Sequence, residues 1–147
     1  MYGPRQDPHG EAGVVAIFCS RILEGRPLTV FGDGRQTRDY VFVKDVARAN
    51  LAAATRTLPP AGPLDARGFN IGTGVETSVL DLARTLNRAA SASAAIEHAP
   101  ARTGEQARSS VIVTKAAELL AWKPTVTLDA GLTETFQYFA RQRAGAA

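Results

Sequence analysis

Residues 28–47 read LTVFGDGRQTRDYVFVKDVA. The run Leu28–Phe31 is short and rich in residues that favour strands, and Gly32–Gly34 is typical of a turn. A second β-branched and aromatic run, Tyr40–Val43, follows the turn. The stretch therefore predicts two short strands separated by a glycine loop. Asp45 is expected to be the N-cap of the helix that comes next, because a carboxylate there can accept a bond from a free backbone N–H.

Helical patterns flank this stretch on both sides. Apolar residues at spacings of three, four and seven predict a helix from Glu11 to Glu24. The helix after Asp45 is expected to end at the Pro/Gly-rich segment 59–67, which is the predicted linker of the chain. Four residues are expected to form the buried face of that helix: Ala47, Leu51, Ala54 and Leu58.

The second half of the chain repeats the order of strand, turn and helix. Phe69–Ile71 predicts a brief strand, and Gly72–Gly74 a turn after it. Ser78 and Asp81 have the spacing of a capping box. The helix that they begin is expected to bury Val79, Leu82, Ala83 and Leu86.

The last third contains one more predicted strand and two more helices. Ala95–His98 predicts the strand, and Ala99–Ser110 an arginine-bearing loop. Thr114 is expected to cap a short helix that ends near Leu120. A terminal helix is expected to pack through Leu128, Leu132, Phe136 and Phe139. Few short strands that alternate with about five helices indicate an α/β fold.

Composition excludes several classes of protein. The chain has 147 residues, which is a typical length for one domain, and a net charge of +3 with both signs interspersed. This distribution argues against nucleic acid as a partner, and no apolar run is long enough to span a membrane. Cys19 is the only cysteine. An internal disulfide is therefore excluded, and a cytoplasmic location is expected.

Few residues offer metal or phosphate chemistry by spacing alone. His9 and His98 stand apart from each other and from Cys19, so no metal site is expected. The Gly72-Thr73-Gly74 run could begin a phosphate cradle, but Thr77 occupies the position of the third glycine. A plain tight turn is the preferred interpretation.

Two arginines and one aromatic residue have both a ligand-binding and an ordinary interpretation. Arg38 at a strand entrance and Arg102 in a polar loop could bind a phosphate group through their guanidinium forks. Alternatively, Arg38 pairs with Asp33 or Asp39, and Arg102 is a solvated loop charge. Phe31 could stack on a nucleobase or simply lie in the core.

The order of six segments narrows these alternatives. They are YGPRQDP (2–8), FGDG (31–34), TRDYV (37–41), DVA (45–47), FNIGTG (69–74), and KA with WKP (115–116 and 122–124). In this order they resemble the extended short-chain dehydrogenase/reductases, specifically the NAD-dependent nucleotide-sugar epimerases/dehydratases. The greatest similarity is to the bacterial UDP-glucose 4-epimerase group.

The resemblance covers the whole chain, residues 1–147, but only the second half of such an enzyme. It implies a substrate-binding C-terminal portion, with the N-terminal Rossmann domain largely absent. The family's Gly-x-x-Gly-x-x-Gly turn for NAD and its catalytic Tyr-x-x-x-Lys pair are expected to lie outside this chain. Met1 stands where the family usually has valine, so a truncation or an internal start is expected. NAD serves the full-length family, and this chain alone is expected to bind no cofactor.

The resemblance also implies a nucleotide-sugar site. Its eight residues are Val14, Thr29, Phe31, Arg38, Tyr40, Arg102, Glu105 and Ser109. Arg38 and Arg102 are the implied ligands of the UDP diphosphate. Glu105, where the family commonly has Asp, is the implied acceptor for the ribose hydroxyls, and Phe31 packs against uracil. Tyr40 either lines the cleft or packs in the core, and the remaining three border the base or the sugar.

Three functions remain open at this point. The resemblance implies an enzyme that interconverts UDP-glucose and UDP-galactose through a 4-keto intermediate, in which this chain supplies the nucleotide anchor and is inactive alone. The chain could instead be a non-catalytic UDP-sugar binding module. It could also be a fragment that self-associates or pairs with a separate Rossmann chain.

Two departures from the family pattern bear on structure. Ala121 replaces the usual glycine before Trp122, at a helix end where a left-handed residue is common. Ile112 stands where the family often has Asp.

Overall fold

The computed structural model describes residues 1–8, 13–58, 60, 62 and 67–145. These residues form five helices and four short strands, as the α/β interpretation expects. In chain order the elements are α1 (Val14–Leu23), β1 (Leu28–Phe31), β2 (Thr37–Arg38), α2 (Val43–Thr55), β3 (Thr77–Ser78), α3 (Val79–Ala89), β4 (Ile96–Ala99), α4 (Thr114–Leu120) and α5 (Leu128–Ala144).

The strands form two separate pairs. β1 is parallel to β4 in a register that places Phe31 opposite Ala99. β2 is antiparallel to β3, with Thr37 opposite Ser78. Because the carboxyl ends of parallel strands lie at one edge, the loops after β1 and β4 leave the fold side by side. The polar loops of the sequence are thereby brought together.

The main core lies between α1, α3 and α5, with β1 beside them. Leu82, Ala83 and Leu86 of α3 are fully buried, as their helical spacing predicts. In α5, Leu132 is fully buried and the other three predicted contacts are partly buried against the same core. A smaller cluster joins α2 to α4, and its buried members are Val41, Ala49, Ala116, Leu120 and Trp122.

The prediction for Tyr40–Val43 is wrong. No strand forms there: Phe42 makes one isolated bridge with Tyr2, and α2 begins at Val43 with Phe42 as its N-cap. Asp45 is therefore in the first turn of the helix and is not its cap. Its carboxylate is fully buried and accepts bonds from the backbone N–H groups of Thr125 and Val126. The Asp45 carboxylate, which the local pattern assigned to the start of α2, thus accepts its bonds from a segment that is distant in the sequence.

The predicted buried face of α2 is wrong for three of its four residues. The helix ends at Thr55, and the fourth residue, Leu58, lies beyond that end and is partly buried against the smaller cluster. Leu51 is 64% exposed, and Ala47 and Ala54 are exposed as well. The helix packs through Ala49, which is 2% exposed, and partly buried neighbours. In a helix this rich in alanine, several faces are apolar enough to pack, so contact with α4 selects the buried one.

Other boundaries differ by smaller amounts. Phe69–Ile71 is not a strand, and β4 lies one residue later than predicted. α4 has Val113 as its N-cap, without a side-chain bond, so Thr114 is not the cap. The predicted capping box of α3 is confirmed for its Ser78 half, since Ser78 Oγ accepts a bond from Asp81 N at 3.0 Å. The Asp81 carboxylate accepts a bond from the Ser78 hydroxyl at 2.7 Å in place of the backbone N–H. Most of the predicted linker, residues 59, 61 and 63–66, lies outside the described residues, as do residues 11 and 12 at the predicted start of α1.

Ala121, at the C-terminal end of α4, has the left-handed backbone that its position suggested, with φ 46° and ψ 38°. A left-handed conformation costs a non-glycine residue about 1–2 kcal/mol. We therefore expect Ala121→Gly to raise the free energy of unfolding by about 1 kcal/mol in urea denaturation. Ala117→Gly, inside the same helix, is the matched control and is expected to lower it by a similar amount. An Ala121→Gly variant no more stable than the parent would contradict this account of the backbone.

Candidate functional site

The candidate site lies at the edge where β1 and β4 end. Gly32 N donates to Ala99 O at 2.9 Å, so the two strand ends remain joined after the ladder stops. His98 Nδ1 lies 2.7 Å from Gly32 O on the same edge. Phe31 is the last residue of β1, and its half-buried ring lies where the two loops begin.

Arg102 and Phe31 are in direct contact. The guanidinium carbon of Arg102 lies 3.9 Å from the centroid of the Phe31 ring. At this distance the cation is attracted by the negative face of the ring. Arg102 is exposed, so it is a solvated loop charge that also packs over the ring, and its role as a phosphate ligand stays a prediction.

Arg38 lies in the same cluster and faces Glu105. Its Nη2 is 3.6 Å from Glu105 Oε1, and its Nη1 donates to the Gln106 carbonyl at 2.7 Å. The side chains of Arg38 and Glu105 are 31% and 28% exposed, so the pair is only partly desolvated. The alternative pairings do not occur: Asp33 is the partner of Arg35. The other candidate, Asp39, binds a glycine turn.

That glycine turn holds a protein carboxylate. Thr73 N and Gly74 N donate to the two oxygens of Asp39 at 2.7 and 2.9 Å. A Cβ on Gly72 would lie 2.5 Å from Asp39 Oδ2, so only glycine permits this approach. The amides that could have cradled a phosphate are thus committed to Asp39. The turn does not fit the pyrophosphate of a dinucleotide.

Gln36 is a member of the cluster that the sequence analysis missed. Its Nε2 donates to Phe31 O at 3.0 Å and to Glu105 Oε2 at 3.4 Å. It thereby ties the carboxylate to the end of β1. The available signal was its place between Phe31 and Arg38, two residues before the arginine.

Tyr40 contributes a buried hydroxyl. Its Oη is shielded from solvent and has no hydrogen-bond partner among the described residues. Burial raises the pKa of Tyr40 to about 12; Arg38 opposes this shift and Glu105 adds to it. The hydroxyl is therefore a neutral group that lies close to the charged pair.

The remaining three predicted residues lie further along the elements. Thr29 is on β1, two residues before Phe31, and its Oγ1 accepts a bond from Arg21 Nη1 at 2.7 Å. Val14 is the first residue of α1 and packs against the main core. Ser109 is half-buried in the loop after Arg102. The cluster that the structure brings together therefore consists of Phe31, Gln36, Arg38, Tyr40, Arg102 and Glu105, which we call the anion cluster.

One Tyr-x-x-x-Lys spacing occurs in the chain, at Tyr40 and Lys44. Tyr40 precedes α2, whereas Lys44 lies in its first turn. The two residues therefore do not share a helix face, as an i, i+4 pair does. Lys44 Nζ instead lies 2.7 Å from Glu134 Oε1 of α5. This spacing does not form a catalytic pair.

The part of the chain that the structure describes contains neither a cluster of metal ligands nor a membrane-spanning helix. Across residues 1–8, 13–58, 60, 62 and 67–145, no three His, Cys, Asp or Glu side chains gather as metal ligands would. In the same ranges, no helix has the length and apolar character needed to cross a bilayer. Cys19 is buried in the core, and this burial raises its pKa to about 12. His9 lies outside the described residues.

Comparison with known proteins decides the family. Residues 1–72 match the NAD dependent epimerase/dehydratase family. A UDP-glucose 4-epimerase of Mycolicibacterium smegmatis is 48% identical over 139 residues, which is 95% of this chain and 42% of that protein. The chain belongs to the NAD-dependent epimerase/dehydratase family. The resemblance seen in its motifs is thereby confirmed.

The solved structures agree with this assignment. A UDP-glucose 4-epimerase of Thermotoga maritima, crystallised with UDP-glucose, superposes with a TM-score of 0.85 at 44% identity. The match covers 97% of this chain and 44% of that one. The chain thus spans about two fifths of the length of the relatives it matches.

Relatives within the family differ in their reactions. A UDP-N-acetyl-alpha-D-glucosaminuronate decarboxylase of Bacillus cytotoxicus is 32% identical over 95% of this chain and 43% of its own length. Both this decarboxylase and the epimerases have UDP-sugars in their names. Membership of the family therefore leaves the reaction to be argued from the residues.

Proposed function

We propose that this chain is the nucleotide-sugar-binding portion of an enzyme of the UDP-glucose 4-epimerase type. The observation that carries the proposal is the anion cluster, in which two guanidinium groups, a carboxylate and an aromatic ring converge at one sheet edge. Each chemical part of UDP has a complementary group there. The similarity to epimerases over nearly the whole chain supports the same assignment.

The diphosphate is assigned to Arg38 and Arg102. Guanidinium forks bind phosphate oxygens through charge-assisted bonds, and two of them neutralise a diphosphate dianion. Tyr40 Oη, which is buried without a partner among the described residues, gains one if it donates to a phosphate oxygen. Burial of this hydroxyl then costs less in the complex than in the free chain.

The nucleoside is assigned to Glu105 and Phe31. A carboxylate accepts hydrogen bonds from both hydroxyls of a ribose diol, and Gln36 already orients this one. The ring of Phe31 offers a stacking face for uracil. Arg102 covers that face at 3.9 Å, so uracil and Arg102 compete for it. Movement of Arg102 to the diphosphate resolves this competition.

These assignments give the chain a defined share of the work. It holds the non-reacting end of the substrate, and this binding energy positions the sugar. The whole protein is proposed to interconvert UDP-glucose and UDP-galactose. Because the glycine turn does not fit a dinucleotide, we derive no step through NAD from these residues. The chain alone is expected to give no measurable interconversion of the two UDP-sugars.

Calorimetric titration of the purified chain tests this proposal. UDP is expected to bind at least about 10-fold more tightly than uridine, because uridine lacks the group that receives the charge-assisted bonds. 2′-Deoxyuridine diphosphate is the matched ligand for Glu105, since it keeps the diphosphate and the uracil base and has no 2′-hydroxyl. We expect its affinity to be intermediate. Equal affinity for UDP and uridine, or no heat with millimolar UDP, would contradict the proposal.

A groove at the beginning of the chain supports a second proposal. Its volume is about 490 Å³, and it is lined by Met1–Asp7, Gly13 and Val43. Met1 is 67% exposed on this side. We infer that the chain can pair through this groove with a second polypeptide, either another copy or a separate Rossmann chain. Light scattering is expected to show self-association of the isolated chain, and a clean monomer would count against this proposal.

A further inference from the structure

The loop of residues 100–113 carries Arg102 and Glu105 without regular structure of its own. It begins where β4 ends and continues to the start of α4. Its position must therefore come from contacts with other elements. Two of these reach β2: Thr37 N donates to Ala107 O at 2.9 Å, and Arg38 donates to the Gln106 carbonyl at 2.7 Å.

A third contact lies just outside the anion cluster and joins Arg108 to Glu76. Arg108 Nε and Nη2 donate to the two oxygens of Glu76 at 3.0 and 2.7 Å, which is the bidentate geometry that fixes direction as well as distance. Thr37 Oγ1 donates to the same carboxylate at 2.5 Å. Thr37 therefore binds the loop directly through its backbone N–H, and its hydroxyl binds the Glu76 carboxylate, which in turn binds Arg108 of the loop.

The Glu76 carboxylate is ionised at neutral pH. The bonds from Arg108 and then Thr37 lower the pKa of Glu76 to about 2. Its side chain is 27% exposed, whereas that of Arg108 is 78% exposed. The pair is therefore ionised under ordinary conditions, and solvent reaches mainly the arginine.

We propose that Glu76 and Arg108 are positioning residues. Their ion pair holds the loop of residues 100–113 against β2, so that Arg102 and Glu105 lie beside Arg38 when the nucleotide binds. This inference rests on the proposed function, since the nucleotide is the ligand that the loop serves. The two residues act through the loop. Their contribution to affinity comes from ordering it before the ligand arrives.

The expected size of the effect follows from exposure. Exposed ion pairs contribute little to stability, so Glu76→Gln is expected to weaken UDP binding by a small factor, roughly two- to fivefold. Arg108→Gln is expected to do the same. The charge exchange Glu76→Arg with Arg108→Glu restores an ion pair of opposite orientation and is expected to recover most of the affinity.

The experiment combines titration of UDP with hydrogen exchange of the loop amides on the full chain. Glu24→Gln is the matched control, because Glu24 forms an exposed pair with Arg26 at 3.0 Å just before β1 begins, at the end of the strand away from Phe31. The urea midpoints of all variants are measured in parallel. We expect faster exchange in residues 100–113 and weaker UDP binding in both single variants, with unchanged midpoints, and neither change in the control.

Several results would overturn the inference. One is unchanged UDP affinity in both single variants, and another is a loss that the charge exchange does not recover. A loss that scales with a lower urea midpoint would also overturn it, because it would indicate general destabilisation. If the parent chain does not bind UDP, the proposed function fails by itself. Loop exchange in the two single variants then decides whether the ion pair orders the loop.

Discussion

A chain in which Arg38 and Arg102 are both changed to Ala is expected to bind UDP at least about 100-fold more weakly than the parent, because each charge-assisted bond contributes about 1.5–3 kcal/mol. Arg38 reaches the cluster from β2, and Arg102 from the loop after β4. Either arginine alone leaves the diphosphate partly neutralised. The single variants are therefore expected to lose about 10-fold each. Titration calorimetry with UDP is the measurement.

Two control variants distinguish bidentate binding by the Arg38 guanidinium from general attraction by positive charge. Arg35→Ala removes a neighbouring arginine that is 87% exposed and paired with Asp33. It is expected to leave the affinity for UDP unchanged. Arg38→Lys keeps the charge without the bidentate fork, so we expect intermediate affinity. If Arg35→Ala weakens binding as much as Arg38→Ala, general electrostatic attraction replaces the assigned contacts as the explanation.

The second large effect is on stability. We expect Asp45→Ala to lower the free energy of unfolding by about 2–4 kcal/mol, because it leaves backbone donors of Thr125 and Val126 without their acceptor. The same carboxylate binds Arg48, and the Asp45 carbonyl accepts a bond from Trp122 Nε1 at 2.9 Å. This network joins the start of α2 to the chain before α5. Urea denaturation of both proteins measures the loss.

The effect of Asp45 also depends on pH with a defined sign. Burial alone raises the pKa of Asp45, but the bonds from Arg48, Val126 and Thr125 outweigh it and hold the pKa below the ordinary value of 3.8. The folded state therefore binds the proton less well than the unfolded state. The advantage of the parent over Asp45→Asn is expected in full above about pH 5 and to diminish as the pH falls below 4.

Asp33→Asn is the control for this titration. Asp33 is 70% exposed, so its replacement is expected to leave the free energy of unfolding within about 0.5 kcal/mol of the parent at every pH. A constant difference between the parent and Asp45→Asn from pH 3 to pH 7 would contradict the assigned role of the buried carboxylate.

Local patterns predicted the elements whose partners are close in sequence. The cap of α3 needs only Ser78 and Asp81, which lie three residues apart, and the bond from Asp81 N to Ser78 Oγ forms as expected. The helical spacing of Leu82 and Leu86 likewise identifies the buried face of α3. The same reasoning failed for Tyr40–Val43. This segment forms only one isolated bridge, between Phe42 and Tyr2. The strand β2 forms earlier in the chain, at Thr37–Arg38, because β3 pairs with it there.

The sequence predicted which residues belong to the candidate site but did not predict which of them contact one another. The order of six motifs indicated the family, the family pattern implied Arg38, Arg102, Glu105 and Phe31 as site residues, and comparison confirmed the family. Their roles as ligands of UDP stay predictions. Spacing could not tell which carboxylate faces Arg38, since Asp33 and Asp39 are both nearer in sequence than Glu105. Glu105 became the partner because the loop after β4 is hydrogen-bonded to β2 at Thr37 and Arg38.

The sequence by itself determined the family, the α/β class and the helices whose apolar faces repeat at a regular period, because these depend on short-range spacing and on motif order. Only the tertiary structure decided where the buried polar groups find their partners. Asp45 serves a segment 80 residues away, and Asp39 takes the amides of the Gly72–Gly74 turn. A buried carboxylate needs hydrogen-bond donors, and these donors can come from segments that are far away in the sequence. Local residue spacing does not show which distant segment will supply them.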